Sequence, residues 1–393
     1  MSTELLTRRG ALLGLGAAVT LGRASLALAA VPTERRLVVV ILRGALDGLA
    51  AVAPYGDPAF VGLRGELAPL PPGQEGGLLD LGGFYGLHPA LTGMHGMYAA
   101  GQLLPVHAVA GPVRTRSHFE AQDLMESGAE QRLSSGWLNR AVQGMGMGPS
   151  AAPLSVGVSL PLLLRGPAPV GAYAPPSFAT PPPDLYARIA ALHAHDKVTG
   201  PAIRQGLQER GFTDAQLGAG RGGKERQAFA ALAAAAGRLL AAADGPRIAA
   251  MELGGWDTHA AQANRLQGPL RQLDAGLVAL REGLGEAWAK TAVLVMTEFG
   301  RTVRANGTGG TDHGTGAAAF LAGGAVTGGR VLADWPGLGA GKLLEDRDLQ
   351  PSMDLRALAK GLLSAHLGLS PAALLRAFPG SEGVPPATGL VQA

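Results

Sequence analysis

Short, mainly apolar runs alternate along the chain with longer segments of helical pattern. The run 37–42 is apolar throughout, as is expected of a strand that is buried on both faces of a sheet. Strands are predicted at 37–42, 103–109, 154–160, 248–253, 292–297 and 317–322. Helices are predicted at about 88–101, 186–195, 224–243, 260–289 with a break near Gly268 and Pro269, 354–366 and 371–377. This order predicts an α/β fold, a three-layer sandwich whose mostly parallel sheet carries helices on both faces.

The stretch 292–323 contains the densest polar groups of the chain. Its first apolar run stops at Thr297 and Glu298, and its second run is preceded by Asp312 and His313. Ligands bind at strand ends in open α/β sheets. Glycines such as Gly300 between the two runs allow the backbone to turn tightly and to approach a bound group. We therefore expect the functional site to be built around this stretch.

Three further polar clusters follow apolar runs. Asp47 comes after the first strand and is either a metal ligand or the N-cap of the next helix. Ser117 with Glu120 three residues later is a capping-box pattern that predicts a helix start. A hydroxyl at such a start lies where an anion is favoured, and Arg114 and Arg116 would add positive charge.

The third cluster, G-G-W-D-T-H, places Asp257 and His259 just past a predicted strand. An aspartate and a histidine separated by one residue at a strand end can converge on one cation. His193, His195 and Asp196 could also chelate a metal, but a solvated helix end explains them at least as well. The chain has no cysteine, so Asp, Glu, His, Ser and Thr are left as metal ligands.

The N-terminus predicts export. Thr7, Arg8 and Arg9 precede a short apolar segment and the small-residue pattern 27–29, which is typical of a twin-arginine signal. We expect residues 1–29 to be removed by the time the protein is periplasmic. An ordinary N-terminal helix is the alternative. The apolar segment is short and rich in glycine, so no stable membrane span is expected in the mature form.

Length and composition limit the number of domains and the kinds of partner that are expected. With 393 residues and 47% hydrophobic content, the chain can bury a large core. We expect a single domain over 30–393 with a Pro/Gly-rich insertion at about 161–222. The net charge is only +3, and no basic cluster with interleaved aromatic residues accompanies it, so nucleic acid is not an expected partner.

Five ordered motifs resemble the family called domain of unknown function 1501. They are R-G-A-L-D-G, R-T-R-S-H-F-E, G-G-W-D-T-H, M-T-E-F-G-R and G-T-D-H-G-T-G, and they span nearly the whole predicted mature chain. That family is similar to the alkaline phosphatase-like hydrolases, which include sulfatases and cofactor-independent phosphoglycerate mutases. The resemblance implies an alkaline phosphatase-like fold and a site that holds two metal ions.

The resemblance also implies roles for individual residues. Asp47 corresponds to the aspartate after the first strand, and Ser117 to the nucleophile at a helix start. Asp257 and His259 correspond to an Asp/His pair, and His313 to the final histidine. The resemblance thus implies a His/carboxylate site for zinc or manganese that is made of Asp257, His259 and His313.

One position departs from the pattern of those hydrolases. Where they have Asp-His, this chain has Glu298 and Phe299, and phenylalanine cannot bind a metal. A second site of Asp47, Glu298 and Ser117 would be poorer, unless Asp312 or His118 supplies a ligand. One or two divalent ions are therefore expected. The candidate metal ligands are Asp47, Asp257, His259, Glu298, Asp312 and His313.

The resemblance implies an exported metal-dependent hydrolase of phosphate or sulfate esters. In this interpretation Ser117 is the nucleophile, and Arg114 or Arg116 holds the small anionic ester substrate. Phe299 favours an alternative, in which a catalytically degenerate protein keeps a metal and serves in periplasmic binding or assembly. The number of bound ions distinguishes the two.

Overall fold

A computed structural model describes residues 24–25, 33–145, 152–174, 191–193, 196 and 229–392. The predicted signal segment lies outside this set except for Ala24–Ser25, whose backbone pairs with Gly171–Tyr173. Most of the predicted insertion and of the helix expected at 186–195 also lies outside it. No helix in the described part of the chain is long and apolar enough to cross a membrane.

The main sheet has nine strands among the described residues. In spatial order the strands are β1 (Ala24–Ser25), β8 (Gly171–Tyr173), β7 (Leu154–Val156), β9 (Ile248–Leu253), β2 (Arg36–Leu42), β10 (Thr291–Thr297), β11 (Ala317–Ala322), β6 (Leu103–Ala110) and β12 (Met353–Asp354). All neighbours from β8 to β10 in this order are parallel, whereas β11 is antiparallel to both of its neighbours. A small separate sheet contains β3 (Val52–Ala53), β5 (Gly86–Leu87) and β4 (Leu79–Asp80).

Helices cover both faces of the main sheet. The α-helices in the described part of the chain are α1 (Gly48–Ala51), α2 (Phe60–Arg64), α3 (Thr92–Ala99), α4 (His118–Ser127), α5 (Trp137–Gly144), α6 (Phe229–Ala241), α7 (Gln262–Arg265), α8 (Gln267–Leu284), α9 (Leu355–Gly361) and α10 (Pro371–Ala377). Val38 and Val40 of β2 pack into one apolar cluster with α3, α6 and α8, while Val39 and Ile41 pack into a second cluster with α5, α9 and α10. The predicted three-layer α/β sandwich is therefore confirmed.

The strand directions collect the polar motifs at one edge of the sheet. Because β2, β9 and β10 are parallel, the segments that follow them leave at the same edge. Because β11 is antiparallel to β10, the segment that precedes β11 arrives at that edge too. The loop after β6 also starts there and leads into α4. Asp257, Glu298, His313 and His118 are brought together in this way.

Several predicted boundaries differ from the structure; the helix predicted at 88–101, for example, spans Thr92–Ala99. Two of the differences have a local cause. The strand predicted at 154–160 ends at Val156, because Gly157 has φ +139° and turns the chain. The break in the helix predicted at 260–289 falls at Leu266 rather than at Gly268 and Pro269. Pro269 is tolerated in the first turn of α8, where a backbone N–H has no helical partner.

A fully buried histidine lies within β6. His107 Nε2 is 2.9 Å from the Val52 carbonyl oxygen, and its Nδ1 accepts the Ala108 N–H at 2.9 Å. Both ring nitrogens are thus used by the neutral imidazole. Burial lowers the pKa of His107 to about 4, although the Val52 carbonyl opposes this shift.

Candidate metal centre

Three imidazoles surround the carboxylate of Asp257. Asp257 Oδ1 lies 3.0 Å from His259 Nε2 and 3.5 Å from His313 Nε2, and these two nitrogens are 2.9 Å apart. Asp257 Oδ2 lies 3.6 Å from His118 Nε2. His118, Asp257 and His313 each present a ligand atom within 4.8 Å of the others. The three form a candidate metal-binding triad, and His259 joins it through two of its members.

Carboxylates contact the Nδ1 atoms of two of the imidazoles. His118 Nδ1 is 2.8 Å from Glu298 Oε1, and His259 Nδ1 is 3.0 Å from Asp312 Oδ1. A carboxylate on the second nitrogen is the usual support of a metal-binding histidine, since it fixes the tautomer and the ring orientation. Glu298 and Asp312, which the sequence analysis predicted as metal ligands, therefore contact the imidazoles of candidate ligands on the side away from Asp257.

The third imidazole is held by the backbone. His313 Nδ1 lies 2.7 Å from the carbonyl oxygen of Arg116, and a carbonyl can only accept. In all three rings Nδ1 thus faces an oxygen acceptor, which places the proton of the neutral ring there and leaves a lone pair on Nε2. The Nε2 lone pairs of His259 and His313 then face each other and a carboxylate, an arrangement that a cation stabilises.

His118 provides an independent test of this fit. Its Nε2 is buried and has no hydrogen-bond partner. A buried polar atom without a partner costs free energy unless something else satisfies it. A metal ion bound by Nε2 would do so, and the direction of the lone pair towards Asp257 matches that role. The residues present therefore fit a bound divalent ion.

The carboxylates of the centre are ionised at neutral pH. Burial opposes the charge of Glu298, but hydrogen bonds from His118 and Gln122 outweigh it and lower its pKa. Burial likewise opposes the charge of Asp257, and a hydrogen bond from Arg301 lowers its pKa. A hydrogen bond from Asn306 lowers the pKa of Asp312. Ionised carboxylates are the form that binds or supports a cation.

The imidazoles respond to the same surroundings. The hydrogen bond to Glu298 raises the pKa of His118, and burial opposes this shift. Burial lowers the pKa of His313, so its neutral, metal-binding form is favoured. The two rings are neighbours, with centroids 4.3 Å apart.

Arg301 is a member of the centre that the sequence reasoning missed. Its side chain is fully buried, and Nη1 donates to Asp257 Oδ1 at 2.8 Å. The other guanidinium nitrogens donate to the hydroxyl and carbonyl oxygens of Thr311. This geometry fixes the Asp257 carboxylate. The M-T-E-F-G-R motif contained the residue, but an arginine three positions after a glutamate carries no recognisable pattern.

Phe299 forms an apolar wall of the centre. It is buried, and its ring centroid lies 4.9 Å from that of His118 and 5.1 Å from that of His313. Phe299, which has no atom that can bind a metal, therefore packs against two imidazoles. It excludes water from one side of them.

Asp47 has its carboxylate committed elsewhere. Oδ1 accepts the backbone N–H groups of Leu49 and Ala50, as an N-cap does. Oδ2 accepts hydrogen bonds at 2.6 Å from Arg64 and from Gln262. In the described part of the chain no hydrogen bond or ion pair joins Asp47 to the three histidines. The structure shows the capping role that the sequence left open.

Ser117 lies beside the centre as the N-cap residue of α4, directly before His118. The predicted capping box is wrong, because the Ser117 side chain makes no capping hydrogen bond. Instead, Thr115 Oγ1 donates to Glu120 Oε2 at 2.7 Å. The exposed Ser117 hydroxyl is therefore not used by the helix end.

The two arginines before Ser117 differ in their surroundings. The Arg116 guanidinium contacts Glu345 at 2.7 Å and Asp348 at 3.0 Å, so its charge is already paired. Arg114 lines a cavity of about 260 Å³ together with Glu298 and other residues of the 110–116 loop. Arg116 lines the same cavity, so the two arginines differ in their pairing with carboxylates and not in their distance from the centre.

The structure is similar to one described as the crystal structure of phosphonate monoester hydrolase of Agrobacterium radiobacter, with a TM-score of 0.30 and 12% sequence identity. The match covers 76% of this chain and 70% of that chain. No curated protein matches the sequence significantly. A family model described as "Protein of unknown function (DUF1501)" matches residues 102–377, and the chain belongs to this family.

Proposed function

We propose that this protein is an exported, metal-dependent hydrolase of phosphate or sulfate esters that uses one divalent ion. The Nε2 atoms of His118, His259 and His313 and the carboxylate of Asp257 would hold the ion. A single observation carries the proposal: three imidazoles have Nδ1 bound to oxygen acceptors and aim Nε2 at one ionised carboxylate.

The chemistry of the donors supports zinc, with manganese as the second choice. Three imidazoles and one carboxylate are a usual ligand set for zinc, and the absence of thiolates follows from the lack of cysteine. When bound, such an ion supplies Lewis acidity to an ester oxygen. Asp257 and His259 are nearly half exposed, which leaves the centre open to a substrate.

The side chains around the centre have distinct tasks in this proposal. Glu298 and Asp312 orient imidazoles, and Arg301 holds Asp257 in place. Ser117 would attack phosphorus or sulfur through its free hydroxyl. As the new bond forms, the bond to the alcohol oxygen breaks and that oxygen takes up a proton; water then releases the anion and restores the hydroxyl.

The anion clamp is assigned to Arg114 in this proposal. Arg116, the other candidate, is paired with two carboxylates, and its carbonyl orients His313. We further propose that the twin-arginine machinery exports the chain after folding. The metal centre could then form in the cytoplasm before transport to the periplasm.

Elemental analysis of the protein purified without chelator tests the metal. We expect about one zinc or manganese ion per chain in the unaltered protein and in Asp47→Ala, and none in the double variant Asp257→Ala/His313→Ala. Turnover of 4-nitrophenyl phosphate and 4-nitrophenyl sulfate is measured beside it, with Ser117→Ala as the nucleophile variant. A metal-free protein, or equal turnover by Ser117→Ala, would contradict the mechanism.

A second candidate function is retained because of Phe299 and Arg301. A buried phenylalanine and a guanidinium occupy positions beside the centre where a second ion would need ligands. This favours a metal-containing binding or assembly protein of the periplasm as the alternative. One bound ion without turnover of any ester would support it.

A further inference from the structure

A large cleft adjoins the metal centre. Its volume is about 1090 Å³, which is at the upper end for small-molecule sites. One wall is α4 with the turn that follows it, and the other is the segment 159–165. None of the four proposed metal ligands is among its lining residues. The cleft is therefore a separate space beside the reacting centre.

Two residues connect the cleft to the centre. Ser117 and Gln122 both line the cleft. Ser117 directly precedes His118, and Gln122 Nε2 donates to Glu298 Oε1 at 2.9 Å. A molecule whose ester group lies at the centre would extend its remaining part past these residues into the cleft.

The charges of the cleft disfavour a second anionic group. Five carboxylates line it against three guanidinium groups. The guanidinium of Arg43 is paired with Glu126 at 2.6 Å and with Glu252, and that of Arg132 with Asp123 at 2.7 Å. The lining carboxylates are Glu120, Asp123, Glu126, Glu130 and Glu252, and the guanidinium groups are those of Arg43, Arg132 and Arg165.

The rim of the cleft is apolar and exposed. Phe119, Val113 and Leu160 line it, and Phe119 is 86% exposed. Val158 lies on the same loop as Leu160. These four are half of the eight large apolar side chains that are exposed in the described part of the chain. Exposed apolar side chains that gather at a cleft indicate a binding site rather than chance exposure.

We infer that the cleft binds the alcohol part of the ester, and that this part is an uncharged or cationic group with an aryl or alkyl body packed against Phe119. The inference rests on the proposed function for the position of the ester. It excludes polyanionic substrates such as nucleic acid fragments, because the cleft offers them carboxylates. Phe119 is then a specificity-determining residue. Glu130 is paired with Arg356 at 3.5 Å, so Glu120, which accepts a hydrogen bond from Thr115, is the carboxylate that selects against anions.

Binding of phosphonates, which cannot be hydrolysed as esters, tests the inference independently of turnover. Titration calorimetry on the zinc-loaded full chain compares methylphosphonate with phenylphosphonate and with its para-trimethylammonium and para-carboxylate derivatives. We expect phenylphosphonate to bind about tenfold more tightly than methylphosphonate, and the carboxylate derivative about tenfold more weakly than the cationic one.

Variants of cleft residues distinguish binding in the cleft from binding at the metal centre. Phe119→Ala should remove most of the advantage of the phenyl group and leave methylphosphonate unchanged. Val61→Ala is the matched control, because Val61 is an exposed apolar residue of α2 that does not line the cleft. The variant Glu120→Gln should reduce the preference for the cationic derivative.

The binding and turnover results together distinguish a failure of the cleft from a failure of the hydrolase. Equal binding of methyl- and phenylphosphonate, no binding of either, or an unchanged phenyl preference in Phe119→Ala would overturn the inference, even if the protein hydrolyses esters. The expected preferences without turnover of the chromogenic esters would support the cleft and refute the hydrolase.

Discussion

Replacing Glu298 by glutamine tests whether the carboxylates behind the imidazoles set the metal affinity. Glu298 Oε1 accepts hydrogen bonds from Gly44 N–H, Gln122 Nε2 and His118 Nδ1, and Oε2 accepts one from the Thr297 hydroxyl. Glutamine keeps the size of the side chain and one oxygen acceptor, but it removes the negative charge. The variant therefore changes the electrostatics behind His118 with little change in shape.

The structure predicts both the size of the loss in metal affinity and which of the two supporting carboxylates, Glu298 or Asp312, matters more. Loss of such a supporting partner usually weakens metal binding by about 10-fold to 100-fold. The Glu298 side chain is fully buried, so its charge is not screened by water, whereas that of Asp312 is 50% exposed. We expect a loss near the upper limit, about 100-fold, for Glu298→Gln and about 10-fold or less for Asp312→Asn.

Competition for zinc with a chelating dye at fixed pH measures both affinities. Thermal unfolding of the metal-free proteins shows whether each variant is folded before its affinity is compared. Equal losses, or a larger loss in Asp312→Asn, would refute the argument that burial decides how strongly these carboxylates act. An unchanged affinity in both variants would show that the imidazoles do not bind the ion through Nε2.

Three other predictions concern residues around the centre. Asp47→Ala should destabilise the protein by about 3–5 kcal/mol in urea unfolding, because Arg64 is left buried without its partner; stability equal to that of the unaltered protein would contradict the pairing. His107 has a pKa of about 4 in the folded protein against 6.5 ordinarily, so only the unfolded chain takes up its proton as the pH falls from 6.5 to 4. Relative to His107→Gln, the unaltered protein should lose about 3 kcal/mol over that interval, and parallel stability curves would refute this. Phe299→His should still bind one ion by elemental analysis, because the oxygens of Asp47 and Glu298 are already taken by hydrogen-bond donors; a second ion would refute it.

Much of the sheet was predictable because its strands are buried on both faces. An apolar run bounded by glycine or charged residues leaves few alternatives. The run 248–253, in which Glu252 is the one charged residue, and the run 317–322 coincide with β9 and β11. The direction of β11 was not predictable in this way. Periodicity shows which residues are buried but not which way a strand runs, and the antiparallel pairing of β10 and β11 depends on the loop between them.

Within the site, the sequence predicted contacts between residues that are close together along the chain. Asp257 and His259 lie two positions apart after a strand, and the structure places Oδ1 and Nε2 of this pair 3.0 Å apart. The role of Asp47 depends instead on Arg64, which reaches it only because α2 packs against the same edge of the sheet. A pair that forms through tertiary packing leaves no signal in the spacing of its members.

The charges of the centre favour the proposed single ion over two ions. The three carboxylates of Asp257, Glu298 and Asp312 have lowered pKa values and are ionised, and Arg301 donates to one of them with its permanent positive charge. Together these four groups leave two negative charges, which one divalent ion neutralises. A second ion would leave an excess of positive charge beside the buried guanidinium and the apolar ring of Phe299. Phe299, which has no atom that can bind a metal, and the buried Arg301, which supplies a fixed positive charge beside Asp257, are therefore both consistent with the proposed single ion.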